Sequence, residues 1–233
     1  MNCIFLRRGY GKTKIDYADN FADNDWPTII KVCQAGLVPD SWKADGTSYK
    51  DMTIGGSAYR VVIAGKNHDE YENGKKSPFT FHLYNCYKTT YAMNSSNTNV
   101  GGWEQAALRN THLPAILAAM PSEVQAAIKP VKKLTSAGNL STSIVATLDK
   151  LFVPSEVEVF GHNNNSIAGE GAQYEYYKNG GSKTKTANAS STSWQERSPS
   201  KSSSGIFCCV GSTGSATTGN ASTARGVSIM FCF

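Results

Sequence analysis

The sequence predicts an α+β fold of short antiparallel strands, two or three short helices and long irregular loops. Three observations carry this. The strand-like runs are brief and bounded by glycine or asparagine, the helical segments are brief and bounded by prolines and glycines, and the last quarter is built of small residues interrupted by apolar strands. Strands and helices do not alternate as βαβ units, which argues against a doubly wound nucleotide-binding sheet.

Residues 1–22 show no clear period and read as an irregular lead-in, with a single domain following over 23–233. Asp25-Trp26-Pro27 opens a helix: Asp25 can cap it, Pro27 suits the first turn, Ile29, Ile30 and Cys33 form its apolar stripe, and Gly36 ends it. Tyr49 to Ile54 and Ala58 to Ala64 flank Gly55-Gly56, a dipeptide that accepts the positive φ of a tight hairpin. Phe79 to Tyr84 alternates as a half-buried strand. Helices are expected over Trp103–Leu108, over His112–Met120, and from Pro121-Ser122-Glu123 to a stop before Pro130. Strand-like segments follow at Val131–Leu134, Ile144–Leu148 and Val157–Phe160, then the aromatic run Tyr174 to Tyr177.

From Asn179 to Gly226, 34 of 48 residues are Ser, Thr, Gly, Asn or Ala, a composition that by itself would signal a linker. Apolar strands at Ile206–Val210 and Val227–Phe233 oppose that reading, because a disordered tail would not finish on Met-Phe-Cys-Phe. The formal charge of +5 comes from residues 176–233, where six cations face only Glu196. They are scattered among serines without the interleaved aromatics of a base-stacking surface, so a mildly basic solvated surface is expected rather than nucleic-acid binding.

The chemical motifs are weak. Gly11-Lys12-Thr13 ends like a phosphate loop, but Leu6 stands where that loop needs its first glycine. Asn67 to Gly74 is rich in oxygen ligands yet fails the EF-hand template, and reads as a solvated loop. The six cysteines form no CxxC pair and no zinc spacing, and are expected as reduced thiols. The four histidines belong to no HExxH pair. Adjacent Cys208 and Cys209 on a strand would point one in and one out, so one exposed thiol is the remaining candidate nucleophile. No catalytic residue, metal ligand or cofactor is assigned, and the expectation is that the protein is not an enzyme. No apolar run approaches the roughly 18 residues that span a bilayer, and the apolar stretch before Arg7-Arg8 is too short for a secretory signal.

Several stretches together resemble a known family. They are Asn94-Ser95-Ser96-Asn97-Thr98-Asn99-Val100-Gly101-Gly102-Trp103-Glu104 with Leu108-Arg109, Ile128 to Lys133, Ser155 to Gly161, Trp194-Gln195-Glu196-Arg197-Ser198-Pro199, and the closing Gly226-Val227 to Phe231-Cys232-Phe233. The pattern is similar to phage and bacterial surface domains with a C-type-lectin fold, among them the variable proteins of diversity-generating retroelements. The resemblance runs from about Trp26 to Phe233 and implies a C-type-lectin-like domain with a variable ligand-binding region at about 194–233. Gln195 and Met230 depart from the family pattern and read as variable positions. The fold also resembles formylglycine-generating enzymes, whose cysteine pair has no counterpart that can be placed here.

The implied function is display of a diversified surface by a phage receptor-binding or adhesin component, on a virion or cell surface. The partner would be a protein or glycan receptor, with no nucleic acid and no membrane insertion. The alternative is a structural or assembly domain of a phage tail. The candidate contact residues are Gln195, Ser200, Lys201, Ser203, Ser204, Gly205, Ile206, Cys209, Gly211, Thr213, Ser215, Thr217, Thr218, Gly219, Thr223, Ala224 and Arg225. Of these, Ile206, Cys209, Gly211, Thr213, Thr217, Thr218 and Arg225 are expected exposed on one face, with Phe207, Val227 and Phe231 buried behind them. Trp103 is expected as a core anchor, and Arg197 as a donor to loop carbonyls.

Overall fold

Asn2–Leu6 (β1) and Thr13–Tyr17 (β2) pair antiparallel in the computed structural model, which describes residues 2–6 and 13–233. The first 22 residues are therefore not an irregular lead-in where they are described. Tyr17 and Phe21 set their rings against buried Trp42, at centroid distances of 5.7 and 5.0 Å. Most of the phosphate-loop-like stretch, Gly9 to Lys12, lies outside the described residues.

The first helix is α1, Trp26–Gln34, formed as its sequence dictates: the Asp25 side chain accepts the Thr28 N–H at 2.8 Å, and Gly36 leaves the helix at φ +73°. Tyr49–Ile54 (β3) and Ser57–Lys66 (β4) form the expected hairpin, with Gly55 and Gly56 both at positive φ. A short strand, Glu70–Tyr71 (β5), precedes Phe79–Leu83 (β6). Every residue of β6 is buried, which corrects the half-buried expectation. The strand is central, and it is covered on both faces. Phe81 packs with Trp26, Phe231 and Phe233, while His82 lies against Tyr176 at 4.6 Å.

No helix forms over Trp103–Leu108. Gly101 (φ +78°) and Gly102 (φ +56°) turn the backbone there, and a Cβ on Gly102 would stand 2.2 Å from the Ser136 carbonyl oxygen. A single π turn, Leu108–His112, runs into Leu113–Ala118 (α2), and Ser122–Ala127 (α3) follows as expected. Val131–Ser136 (β7) and Ile144–Asp149 (β8) pair in register, and Leu151–Phe152 (β9) continues the chain.

Glu156–Phe160 (α4) is a helix where Val157–Phe160 was expected as a strand. The Ser155 hydroxyl accepts the Glu158 N–H, the Glu158 carboxylate accepts the Ser155 N–H, and Gly161 closes the helix at φ +78°. This reciprocal cap outweighs the alternating Val-Glu-Val-Phe pattern. The aromatic run contributes Glu175–Lys178 (α5).

The small-residue quarter is ordered as Lys185–Ala187 (β10), Ser190–Thr192 (β11), Trp194–Pro199 (β12), Ile206–Val210 (β13) and Ala216–Asn220 (β14). Met230–Cys232 (β15) ends the series. The main sheet has the order β3-β4-β6-β15-β9, so the last strand sits inside it. Three-stranded sheets β5-β7-β8 and β12-β13-β14 flank it, with two-stranded ribbons β1-β2 and β10-β11. Among the described residues, no helix is long and apolar enough to cross a membrane.

Candidate ligand-binding surface

The surface is carried by the β12-β13-β14 sheet. Register pairs Trp194 with Val210 and Gln195 with Cys209, and then a bulge precedes the pairing of Pro199 with Phe207. On the other edge of β13, Phe207 meets Gly219, Cys208 meets Thr218 and Cys209 meets Thr217. Alternation puts Gln195, Phe207, Cys209, Thr217 and Gly219 on one side of this sheet, and Ile206, Cys208 and Thr218 on the other.

Arg225 lies across the first side. A Cβ on Gly219 would stand 1.8 Å from Arg225 Nη2, and Nη1 donates to the Asn220 and Thr223 carbonyls at 3.1 and 3.2 Å. Cys209, on the same side of the sheet as Gly219, is only 2% exposed, not displayed as expected. Gln195 is also buried, because its amide donates to the Tyr91 and Thr223 carbonyls and braces the loop. Ser200 is buried too, its hydroxyl accepting the Ser202 N–H and its own N–H donating to the Ile206 carbonyl.

The remaining candidates reach solvent. Lys201, Ser204, Thr213, Ser215, Thr217, Thr223 and Ala224 are exposed, and Ser203, Gly205, Ile206, Gly211, Thr218, Gly219 and Arg225 are half-buried. They do not share one face, since Ile206 and Thr218 alternate away from Thr217 and Arg225. Phe207, Val227 and Phe231 are buried as expected.

Residues 91–99 clamp this segment from outside. Tyr91 and Arg225 form an antiparallel bridge, and the Asn94 N–H donates to the Ala221 carbonyl. Buried Asn99 donates its amide to the Ser203 and Ile206 carbonyls at 2.9 and 2.8 Å, and its backbone N–H to the Ser204 carbonyl. Asn97 Oδ1 accepts both the N–H and the hydroxyl of Ser222. These asparagines stood in plain view in the Asn94–Asn99 cluster, but their span of more than 100 residues to the loop is invisible in sequence.

Behind the sheet lies a buried ionic network. Arg197 forms a forked pair with Glu158 and donates to the carbonyls of Val153, Leu134 and Glu170, the loop-carbonyl role expected of it. Lys133 Nζ stands 2.6 Å from Asp69 and 2.7 Å from Glu158, and Asp69 also accepts from Tyr174 and Thr80. His68, Asp69 and Glu158 bring one potential metal-ligand atom each within 4.8 Å of one another, and the Lys133 ammonium already bridges the two carboxylates. The Asn67–Gly74 loop is thus not wholly solvated, for Asp69 is buried in this network.

Two further carboxyls, Glu170 and Glu196, are fully enclosed. Burial pushes Glu170 up to about 7, against the Ser136 N–H and the Ser198 hydroxyl. Burial, with Glu156 and Glu170 nearby, pushes Glu196 well above the carboxylate range, and neither of its oxygens has a hydrogen-bond partner among the described residues. A folded-state value above the unfolded one means the folded chain holds the proton longer. The stability from Glu170 is therefore full below about 4.5 and lost as pH rises toward 7, a change of about 3 kcal/mol at most. Glu170→Gln is expected to flatten the fall in urea stability between these values. An unchanged fall would exclude Glu170 as its source.

Cys208 and Cys209 are both buried, contrary to the one-in, one-out expectation. Burial pushes Cys209 up to about 11 and Cys208 higher still. Neither is an exposed nucleophile of depressed pKa.

The model of a domain of unknown function, DUF6273, matches residues 80–233, from within β6 to the end of β15 and beyond, and so includes the whole surface and its clamps. No curated protein and no solved structure matches the chain. With the match covering well over half of its length, the chain belongs to the DUF6273 family.

Proposed function

We propose that the protein is a ligand-binding module with a C-type-lectin-like fold, a variable protein of the diversity-generating-retroelement kind carried on a phage particle or cell surface. Its contact surface is the solvent-reaching part of residues 200–225. The observation that carries this reading is the way the segment is held. Asn97 and Asn99 supply side chains from outside the segment, and it offers them mainly backbone carbonyls and N–H groups in return. Side chains at Ser204, Thr213, Ser215 and Thr217 can change without touching these clamps, which is what a rigid scaffold with substitutable loops requires. Thr213→Ala is accordingly expected to alter stability by less than about 0.5 kcal/mol. A larger loss in denaturant unfolding would make Thr213 part of the framework.

A patch of Ser, Thr and Gly offers hydrogen bonds but few large anchors, so modest monovalent affinity raised by repeated copies is expected. The partner is a protein or glycan receptor. The deciding test is the gene's neighbourhood. A reverse transcriptase beside a near-identical template repeat of the 3′ end supports diversification, together with natural variants whose changes cluster at the exposed positions of 200–225. Absence of both, with changes spread evenly over the chain, would leave an assembly domain with no diversified site.

A further inference from the structure

A cleft of about 850 Å³ opens between the end of α1, the turn after β5 and the segment entering β7. It shares no residue with the 200–225 surface. We infer that this cleft is a separate binding site for a carboxylate-bearing saccharide.

The volume falls within the range of small-ligand pockets and suits two or three sugar rings. Tyr71 forms one wall. Its hydroxyl donates to the Phe233 carbonyl oxygen, which fixes the ring as a flat, half-buried surface against which a sugar face can lie. Lys129 Nζ lies 5.5 Å from the centroid of that ring, and Lys75 lines the same cleft. Neither ammonium has a carboxylate partner among the described residues, whereas neighbouring Lys76 is engaged by Glu70 and by the His68 carbonyl. Two unpaired cations at one cleft call for an anionic group.

The rest of the lining says which kind of anion. Glu72 and Gln34 line the same space, and their side chains carry acceptor oxygens. The Asn73 oxygen is taken by the Lys75 N–H, which leaves its NH₂ to donate. A bare phosphate would meet these acceptors as repulsion, while hydroxyl groups satisfy them. A nucleic-acid strand would need successive stacking rings, and the lining holds one. A polyol that carries a carboxylate uses the acceptors, the amide donors, the ring and the two cations together.

The test titrates the full chain with trigalacturonic acid, maltotriose and inorganic phosphate by calorimetry. The acidic trisaccharide is expected to bind, with affinity falling about tenfold in Lys129→Gln and again in Lys75→Gln as each charge-assisted hydrogen bond is lost. Maltotriose is expected to bind at least about tenfold more weakly, and phosphate not to compete. Both lysines are exposed, so unchanged melting temperatures are expected and keep folding out of the comparison. Three results would each overturn the assignment. They are no binding of trigalacturonic acid at about 10 mM, equal competition by phosphate, or an affinity lowered by Lys201→Gln on the other surface but not by the cleft variants.

Discussion

Arg197→Met is expected to destabilise the fold by about 3–5 kcal/mol, the cost of leaving a buried charge without its partner. Arg197 is fully buried, and its guanidinium holds both oxygens of Glu158, the Thr135 hydroxyl and three carbonyls. Burial alone would raise the Glu158 carboxyl, but Arg197 and Lys133 outweigh it and hold it at about 2. In the wild type this contribution is present above about 4.5 and is lost as pH falls toward 2. Without Arg197, burial prevails and Glu158 rises, so the sign reverses and the variant recovers part of its deficit on mild acidification. Urea unfolding at neutral and mildly acidic pH measures both effects. A loss under about 1 kcal/mol, or a deficit that does not shrink in acid, would remove Arg197 from its place as the central tie.

Trp103→Ala is expected to cost a similar amount, about 3–5 kcal/mol. The indole is completely enclosed, and its N–H donates to Asp149 Oδ2 at 2.9 Å. Asp149 also receives the Thr147 hydroxyl from its own strand and Arg109 Nε from the π turn, so truncation opens a void and loosens a carboxylate on which both depend. Trp103→Phe keeps much of the volume and loses the donor, and should cost only about 1–3 kcal/mol. For a chain of this size the alanine variant should melt roughly 10 °C lower. A shift of under about two degrees would place the indole outside the core.

What could be read in advance was whatever local chemistry settles. Asp25, Pro27 and Gly36 fix α1, and Gly55-Gly56 fixes the β3–β4 hairpin, because caps and positive-φ turns depend on adjacent residues. Helix α4 departs from the strand that its alternating apolar pattern predicts, because the reciprocal cap of Ser155 and Glu158 outweighs that pattern. The ionic network could not be read at all. Lys133 stands 64 residues from Asp69 and 25 from Glu158, and no pattern along the chain announces that such groups meet. Cys209 illustrates the same limit at the surface. Strand alternation separates it from Cys208, but its burial depends on what packs over that side, and Arg225, which lies against Gly219 there, comes from a loop after the next strand.

The placement of β15 carries a consequence for how the chain is made. Main-sheet strands β6 and β9 meet only through β15, which follows the 200–225 segment. On the ribosome, every earlier strand emerges before the one that joins them, so the central sheet cannot close until translation has passed the whole segment. A stop codon or frameshift arising there removes Met230–Cys232 and exposes the edges of β6 and β9, which invites aggregation. Read-through to β15 is thus a condition for a closed central sheet, and a chain cut short within the 200–225 segment would be cleared as a misfolded one.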